Sequence, residues 1–459
     1  MNINLLTPQE VRDWLPYPLP EDGLTPLRRT RERLARAGQW APWQMLGRRF
    51  PIGCVALEIT QRCNLDCSYC YLSESSEALK DIPLEEIFRR IDLIHAHYGD
   101  HADIQITGGE PTLRSREDLL AIVSHIRARR MRSSLFTNGI RASRDLLTAL
   151  CAAGLEDVAF HVDLTQERAG FRSEAELNPV REEYIERARG LKLSVIFNTT
   201  VFPGNFDQMP DLVRFFLRHC DVVRMAAFQA GADSGRGVMR ARAAIDPQTI
   251  QGQIEQATGV PLDFGAASCG HASCNRYACA LVVNGRAHDL FLDAPLAQEF
   301  FDRSAHLTFG RADKVRVIAG VARFLAARPL LLARAIARLA GFVWAARRDL
   351  IAARGRVGKL SFHIHNFQDA KQLERARCEA CSFMVMTPDG PLSMCVHNAK
   401  RDDYLLVPAR VKTEGVIKFW NPATGQLQDQ RPGKIEVRLT RKNSRGRAKA
   451  GAGVETAGA

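Results

Sequence analysis

Apolar positions in the first 265 residues follow two alternating periods. VALEIT (55–60), ADIQIT (102–107), SSLFTNG (133–139), DVAFHVD (157–163), LSVIFNTTV (193–201) and DVVRMAAF (221–228) are short apolar or β-branched runs, and they read as strands. Between them, PLEEIFRRIDLIHAHYG (83–99) and residues 115–129 and 143–153 carry apolar side chains at helical spacing. Strands alternating with helices predict right-handed βαβ crossovers and a parallel sheet, either open and doubly wound or curved into a partial barrel. In both arrangements ligands gather at the carboxyl ends of the strands. The CNLDCSYCYL loop (63–72), a Gly-Gly turn and a TNG turn all fall at that edge.

The pattern changes outside this core. Residues 1–52 read as a helical lead-in rich in Pro and Arg, 53–265 as the α/β core, 266–410 as a C-terminal cysteine-rich region, and 411–459 as a basic, disordered tail. Within the third region, residues 315–356 mix arginines with Leu, Ile, Val and Phe. Arg316, Arg323, Arg334 and Arg338 are spaced to share one helical face with an apolar back, and Pro329 should kink or split the segment. Such a segment suits a packed helix with its arginines in water, or the plane of an anionic membrane.

The chain has 459 residues, 46% hydrophobic and 25% charged, with a formal net charge of +12. These values are ordinary for a globular protein. The start, MNINLLTPQEVRDW, does not read as a secretion signal, and no run of about 18 uncharged apolar residues occurs, so no spanning helix is expected. A cytoplasmic location follows as the expectation, with a peripheral position at the inner membrane face open. In a reducing compartment clustered cysteines point to metal rather than to disulfides. The basic residues have few interleaved aromatics and no recognisable binding motif, so no nucleic-acid partner is expected.

Cys63, Cys67 and Cys70 form a Cys-x3-Cys-x2-Cys loop. A structural zinc site asks for four ligands, and so does an ordinary [4Fe–4S] cluster. Three leave one position for a ligand that is not protein. The spacing, with Tyr69 just before the third cysteine, resembles that of the radical S-adenosylmethionine (radical SAM) enzymes. The resemblance spans about residues 53–265 and implies a partial (β/α)6 barrel of the TIM-like type. It implies a [4Fe–4S] cluster on Cys63, Cys67 and Cys70 whose open iron is chelated by SAM. It also implies reductive cleavage to a 5′-deoxyadenosyl radical that abstracts hydrogen from an unactivated carbon. A one-electron donor of the flavodoxin or ferredoxin type follows. Gly108, Gly109, Glu110 and Pro111 match the turn that holds the SAM amino group, where glycines allow close backbone approach and Glu110 adds an acceptor for an ammonium. Thr137, Asn138 and Asn198 match further SAM-facing positions. His161 and Asp163 close the fourth strand, where relatives often carry a polar residue at the cofactor or substrate.

A second set comprises Cys269, Cys274, Cys279, Cys378, Cys381 and Cys395, with His271 and His397 nearby in sequence. One four-cysteine cluster drawn from both halves fits, as does a zinc or single-metal site. CGHASC (269–274) and TPDGPLSMC (387–395) resemble the group of tetraether lipid synthase and the methanogen pterin-methyltransferase-like proteins. That resemblance implies C–H activation of a long-chain lipid, with alkyl C–C bond formation. Cys378, Gly390 and Cys395 also resemble SPASM or twitch modules, which would imply peptide or small-molecule modification. An iron–sulfur or zinc scaffold without catalysis is the non-enzyme alternative.

Overall fold

The computed structural model describes residues 4–237, 245–291, 293–307, 314–413, 415–433 and 435–437. Its main body is one 11-stranded sheet. Six strands come from the alternating core: β1 (Cys54–Thr60), β2 (Asp103–Gly108), β3 (Arg132–Thr137), β4 (Asp157–His161), β5 (Ser194–Val201) and β6 (Val223–Ala230). They lie side by side in chain order and all pair in parallel. A doubly wound sheet would reverse its strand order partway; this one does not, so its winding is that of a barrel segment.

Side-chain alternation builds the two faces. Val55, Leu57, Ile59, Ile104, Ile106 and Leu135 face helices Leu84–Tyr98 and Arg116–Ala128, packing on Ile87, Ile91, Ile94, Ile122 and Ile126. Val158, Phe160, Val195, Phe197, Ala226 and Phe228 continue that apolar layer over the later helices. The alternate positions therefore point to the other face, and they are largely polar: Glu58, Thr60, Gln105, Thr107, Ser134, His161, Asp163, Asn198 and Thr200.

The C-terminal region is not a separate body. It extends the same sheet at both edges. β7 (Asn275–Val283), β8 (Arg286–Asp289) and β9 (Gly358–Asn366) add beyond β6, with β9 parallel to β6 and β7 antiparallel to β9. β10 (Phe383–Thr387) pairs in parallel with β1, and β11 (Gly390–Ser393) caps that edge. The lead-in holds two short helices, Pro8–Asp13 and Pro26–Arg36.

Two expectations need correction. The start of the basic tail is ordered: β12 (Ala409–Thr413), β13 (Val416–Trp420) and β14 (Leu427–Gln428) form a small antiparallel sheet, anchored by the buried Ala409, Val411 and Trp420 against Ile82. Residues 438–459 lie outside the described residues. The Arg-rich segment does split at Pro329, into helices Lys314–Ala326 and Pro329–Ala352. By length and composition alone, the second could cross a membrane, despite two arginines in its most apolar stretch. Arg334 and Arg338 do not form the outer basic face expected of them. Arg334 and Arg338 turn toward helix Ala294–Arg303, pairing with Glu299 and Asp293 at 2.5 Å each, and an apolar stripe faces outward. The side chain of Arg316 lies outside the described residues.

Candidate functional site

The three-cysteine loop leaves β1 at its carboxyl end and folds over the polar face of the sheet. Cys63, Cys67 and Cys70 are half-buried, and burial together with the neighbouring Cys70 and Cys63 thiols raises the Cys67 pKa well above its usual value. Asp163, from the end of β4, acts on the same thiol. The loop is fastened from four directions. Ser68 donates its backbone N–H to the Thr165 carbonyl at 2.8 Å. Asn138 Nδ2 donates to Asn64 Oδ1 at 2.7 Å, joining the loop to the turn after β3. The Tyr71 hydroxyl donates to the Gly108 carbonyl at 2.5 Å, joining it to the turn after β2. Finally, the segment after β6 lies against it: Arg236 N–H reaches the Leu72 carbonyl and Gly237 N–H the Cys70 carbonyl.

Gly108 and Gly109 are required by close approach to β1. Gly108 has φ +129°, and an added Cβ would sit 2.0 Å from the Thr60 carbonyl oxygen; at Gly109 it would sit 2.1 Å from that of Arg62. The glycine pair thus lets the second turn nest under the base of the cysteine loop. Pro111 opens the short 3-10 turn that follows.

Glu110 is not a free acceptor. It is 1% exposed, and its Oε1 accepts from Thr112 N–H, Thr112 Oγ1 and Thr137 Oγ1, while Oε2 accepts from Asn138 N–H. Its side chain locks the second and third turns together, so any ammonium held here meets backbone groups rather than this carboxylate. Thr137 and Asn138 are brought to the same place through their bonds to Glu110.

Asn198 is buried in β5, in register with His161 of β4, and its Oδ1 has no hydrogen-bond partner. A buried amide oxygen left without a donor is costly, of order 1–3 kcal/mol, and a ligand hydroxyl or amine placed over the sheet would satisfy it. His161 and Asp163 form a pair at 2.7 Å. Asp163 also accepts from Thr165 and Thr200 N–H. Burial alone would lower the His161 pKa, but the Asp163 carboxylate outweighs it and the pKa is raised. Tyr69 is half-buried beside Phe202, ring centroids 5.4 Å apart, and over Gly231.

Sequence reasoning does not single out Arg236. Its guanidinium lies against the Cys70 thiol and pairs with Glu77 at 2.6 Å, while its buried Nε and NH2 have no hydrogen-bond partner. The available signal is the SGRG stretch (234–237): Cβ atoms at Gly235 and Gly237 would sit 2.4 Å from the backbone of Tyr71 and Cys70.

Cys274, Cys378 and Cys381 lie near enough to Cys395 to act on its thiol, and Cys381 acts on Cys54 as well. The Cys395 thiol is raised by burial and by its neighbours Cys381, Cys274 and Cys378. Cys378 is pushed up to about 12 and Cys274 to about 11, burial being the largest cause in each. N–H donors surround this group: Arg377 Nε to Cys274 Sγ at 3.2 Å, Gln368 Nε2 to Cys378 Sγ and Gln368 N–H to Cys395 Sγ, both at 3.5 Å. Cys279 sits elsewhere on β7, 3.7 Å from Ser361 Oγ, and Cys269 lies against Gly53 beside Cys54. His397 faces Glu58 and Arg401, and its pKa falls to about 3 through burial and the Arg401 charge.

Among the described residues no group of three or more His, Cys, Asp or Glu side chains is arranged to hold a single metal ion. A [4Fe–4S] cluster makes a different demand, since each thiolate bonds its own iron and the sulfurs ring a volume instead of meeting at a point. The three-cysteine loop, the Arg236 guanidinium against Cys70 and the unsatisfied Asn198 Oδ1 fit that cluster with a polar organic ligand beside it.

Residues 57–216 match the Radical SAM superfamily model. The chain is 29% identical over 179 residues to a PqqA peptide cyclase from Methylobacterium sp. (strain 4-46), an alignment covering 37% of this chain and 44% of that protein. It is 28% identical over 186 residues to the 7,8-dihydro-6-hydroxymethylpterin dimethyltransferase of Methanocaldococcus jannaschii, covering 39% and 36%. The chain therefore spans less than half the length of either relative. Among solved structures, native anSMEcpe with bound AdoMet aligns with 17% identity and a TM-score of 0.32, covering 44% of this chain and 57% of that one.

Proposed function

With residues 57–216 forming a radical SAM domain, we propose that this protein is an enzyme that cleaves SAM reductively and uses the resulting radical on a long-chain lipid. When bound, the cluster and SAM supply a 5′-deoxyadenosyl radical, with the electron coming from a flavodoxin- or ferredoxin-type donor. The chain's own residues do the rest. Cys63, Cys67 and Cys70 hold the cluster. The turns carrying Gly108–Pro111 and Thr137–Asn138, locked by Glu110, hold the SAM amino acid end by their backbone groups. Asn198 Oδ1 accepts from the cofactor. Tyr69 and Phe202 cover the loop and restrict water. Arg236 offsets the negative charge gathered at Cys70.

We further assign Cys274, Cys378, Cys381 and Cys395 to a second [4Fe–4S] cluster. Four thiols with N–H donors aimed at three of them form a complete donor set of the kind such clusters use.

The observation that carries the reading is the convergence of the cysteine loop, the Glu110-locked turns and Asn198 on one face of the sheet. The lipid substrate rests on the CGHASC and TPDGPLSMC blocks, and lipid analysis of a deletion strain tests it: missing or shortened alkyl-coupled species are expected, and an unchanged lipidome removes it. The relative named as a pterin dimethyltransferase favours a small heterocycle as the second reading. Hydrogen–deuterium exchange between labelled substrate and 5′-deoxyadenosine would distinguish the two. Failure to cleave SAM under a strong reductant would leave only an iron–sulfur or zinc scaffold.

A further inference from the structure

Helix Pro329–Ala352 presents an unusual surface. Its inner side packs on the sheet, with Leu331 buried and Phe342, Ala346 and Ala353 clustered on Val283, Leu281 and Leu350. The same side carries Arg334 and Arg338, held by Glu299 of helix Ala294–Arg303 and by its cap Asp293. The outer side is apolar. Leu330, Trp344 and Ile351 are 83%, 70% and 78% exposed, and Ile336 and Val343 are exposed beside them. Positions 330, 333, 337, 340, 344 and 351 fall at helical spacing, so Leu330, Ala333, Ala337, Ala340, Trp344 and Ile351 form one continuous stripe. The preceding helix adds exposed Val315 and Ile318.

Charge at the C-terminal end of the stripe is one-sided. Arg347, Arg348, Arg354 and Arg356 follow it, and Asp349 is the only acid between Lys314 and Val357. Asp349 faces inward, to Asn284 and Arg286. Arg347 stacks over the exposed Trp344 ring at 4.3 Å. An apolar stripe ending in an indole and a cluster of arginines is complementary to an acyl layer beneath anionic headgroups.

We propose that this helix lies in the plane of an anionic phospholipid bilayer, with its outer stripe in the acyl boundary and Arg347, Arg348, Arg354 and Arg356 on lipid phosphates. Its length would allow it to span. Spanning, however, would pull Leu331, Phe342 and Ala346 off the sheet and bring the Arg334–Glu299 and Arg338–Asp293 pairs into hydrocarbon, which disfavours charge strongly, so the half-embedded position wins. The proposal extends the lipid reading from substrate to docking surface, yet it is tested without SAM or reductant. Its failure therefore leaves the radical chemistry standing, and loss of the radical chemistry leaves it standing.

The experiment is co-sedimentation of the full chain, purified anaerobically, with vesicles of phosphatidylglycerol and phosphatidylcholine in equal parts and with vesicles of phosphatidylcholine alone. Stronger partition onto the anionic vesicles, by about tenfold or more, is expected. The double variant Trp344→Ser/Ile351→Ser, whose side chains pack on nothing that folding needs, should lose partition to both by about tenfold. Arg347→Glu/Arg348→Glu should erase the preference for anionic vesicles. Thermal melting checks that both variants remain folded. Absence of partition overturns the proposal. So does a concentration-dependent dimer that Trp344→Ser/Ile351→Ser dissolves, because a second copy would then be the cover. Resistance of the bound protein to alkaline carbonate extraction would overturn the in-plane position in favour of a span.

Discussion

The two cysteine sites are assembled by opposite routes. Cys63, Cys67 and Cys70 lie within one loop, and tertiary structure only has to fasten that loop in place, which Asn138, Thr165, Gly108 and Arg236 do. Cys274, Cys378, Cys381 and Cys395 reach one another only after β7 has paired with β9 and β10 with β1. The first site is a local motif on a scaffold. The second is a product of the scaffold, and forming it ties together strands from opposite edges of the sheet. The second cluster proposed there would contribute folding energy as well as chemistry.

Changing Cys63, Cys67 and Cys70 all to Ala tests that contrast most severely. SAM cleavage should fall to background while about four irons and four sulfides stay bound; metal and sulfide assay after anaerobic reconstitution decides. Complete loss of iron would remove the second cluster. Conversely, Cys274→Ala/Cys395→Ala should remove about half of the iron and lower the melting temperature, whereas Cys279→Ala should leave the iron content unchanged.

The seam between the two regions gives the next effect. Arg401 and Glu58 form a fully buried pair at 2.5 Å, and Arg401 also lies over the Tyr71 ring, 4.7 Å from its centroid. Burial raises the Glu58 pKa, but Arg401 and His397 outweigh it and hold the value at about 2. A carboxylate depressed in the folded state stabilises above its unfolded pKa, near 4.3, and that contribution is lost as pH falls from there through about 2. Arg401→Met should cost about 3–5 kcal/mol by stranding Glu58, seen as a fall in melting temperature at pH 7. The double variant Arg401→Met/Glu58→Leu should recover part of it.

A smaller effect separates the two proposed clusters electrically. Arg236 is the cation beside Cys70. Arg236→Met should make the first cluster harder to reduce, lowering its midpoint by about 60 mV, the equivalent of tenfold for one electron. The second cluster's midpoint should not move, which a redox titration followed by electron paramagnetic resonance can show. The smallest effect belongs to His363 on β9, whose pKa is lowered to about 4 by burial. A buried neutral histidine is fully stabilising above its unfolded pKa of about 6.5, and its contribution falls as pH drops from there toward 4. His363→Gln should therefore flatten the decline in melting temperature between about pH 6.5 and 4.

The six core strands and the first helices are legible in sequence because apolar period alone sets them, and the three-cysteine loop because its ligands are neighbours. Glu110 is legible as a site residue but not in its job: the four donors that occupy it come from residues 112, 137 and 138, and only the fold shows them together. Arg236 carries no motif beyond two flanking glycines. The face of helix Pro329–Ala352 is not legible, because the spacing of Arg334 and Arg338 gives a stripe without its direction. Asp293 and Glu299, on the neighbouring helix and its cap, set that direction.

The pairing of β10 with β1 has a consequence for how the chain is made. A ribosome releases β1 early and its edge partner more than 300 residues later, since Cys54 pairs with Phe383. Until then β1 presents an unpaired edge, the kind of surface that recruits other chains. A nascent chain stalled anywhere before β10 is therefore expected to be a client for chaperones, and any expression truncated at the end of the alternating core should yield aggregates rather than a smaller working domain.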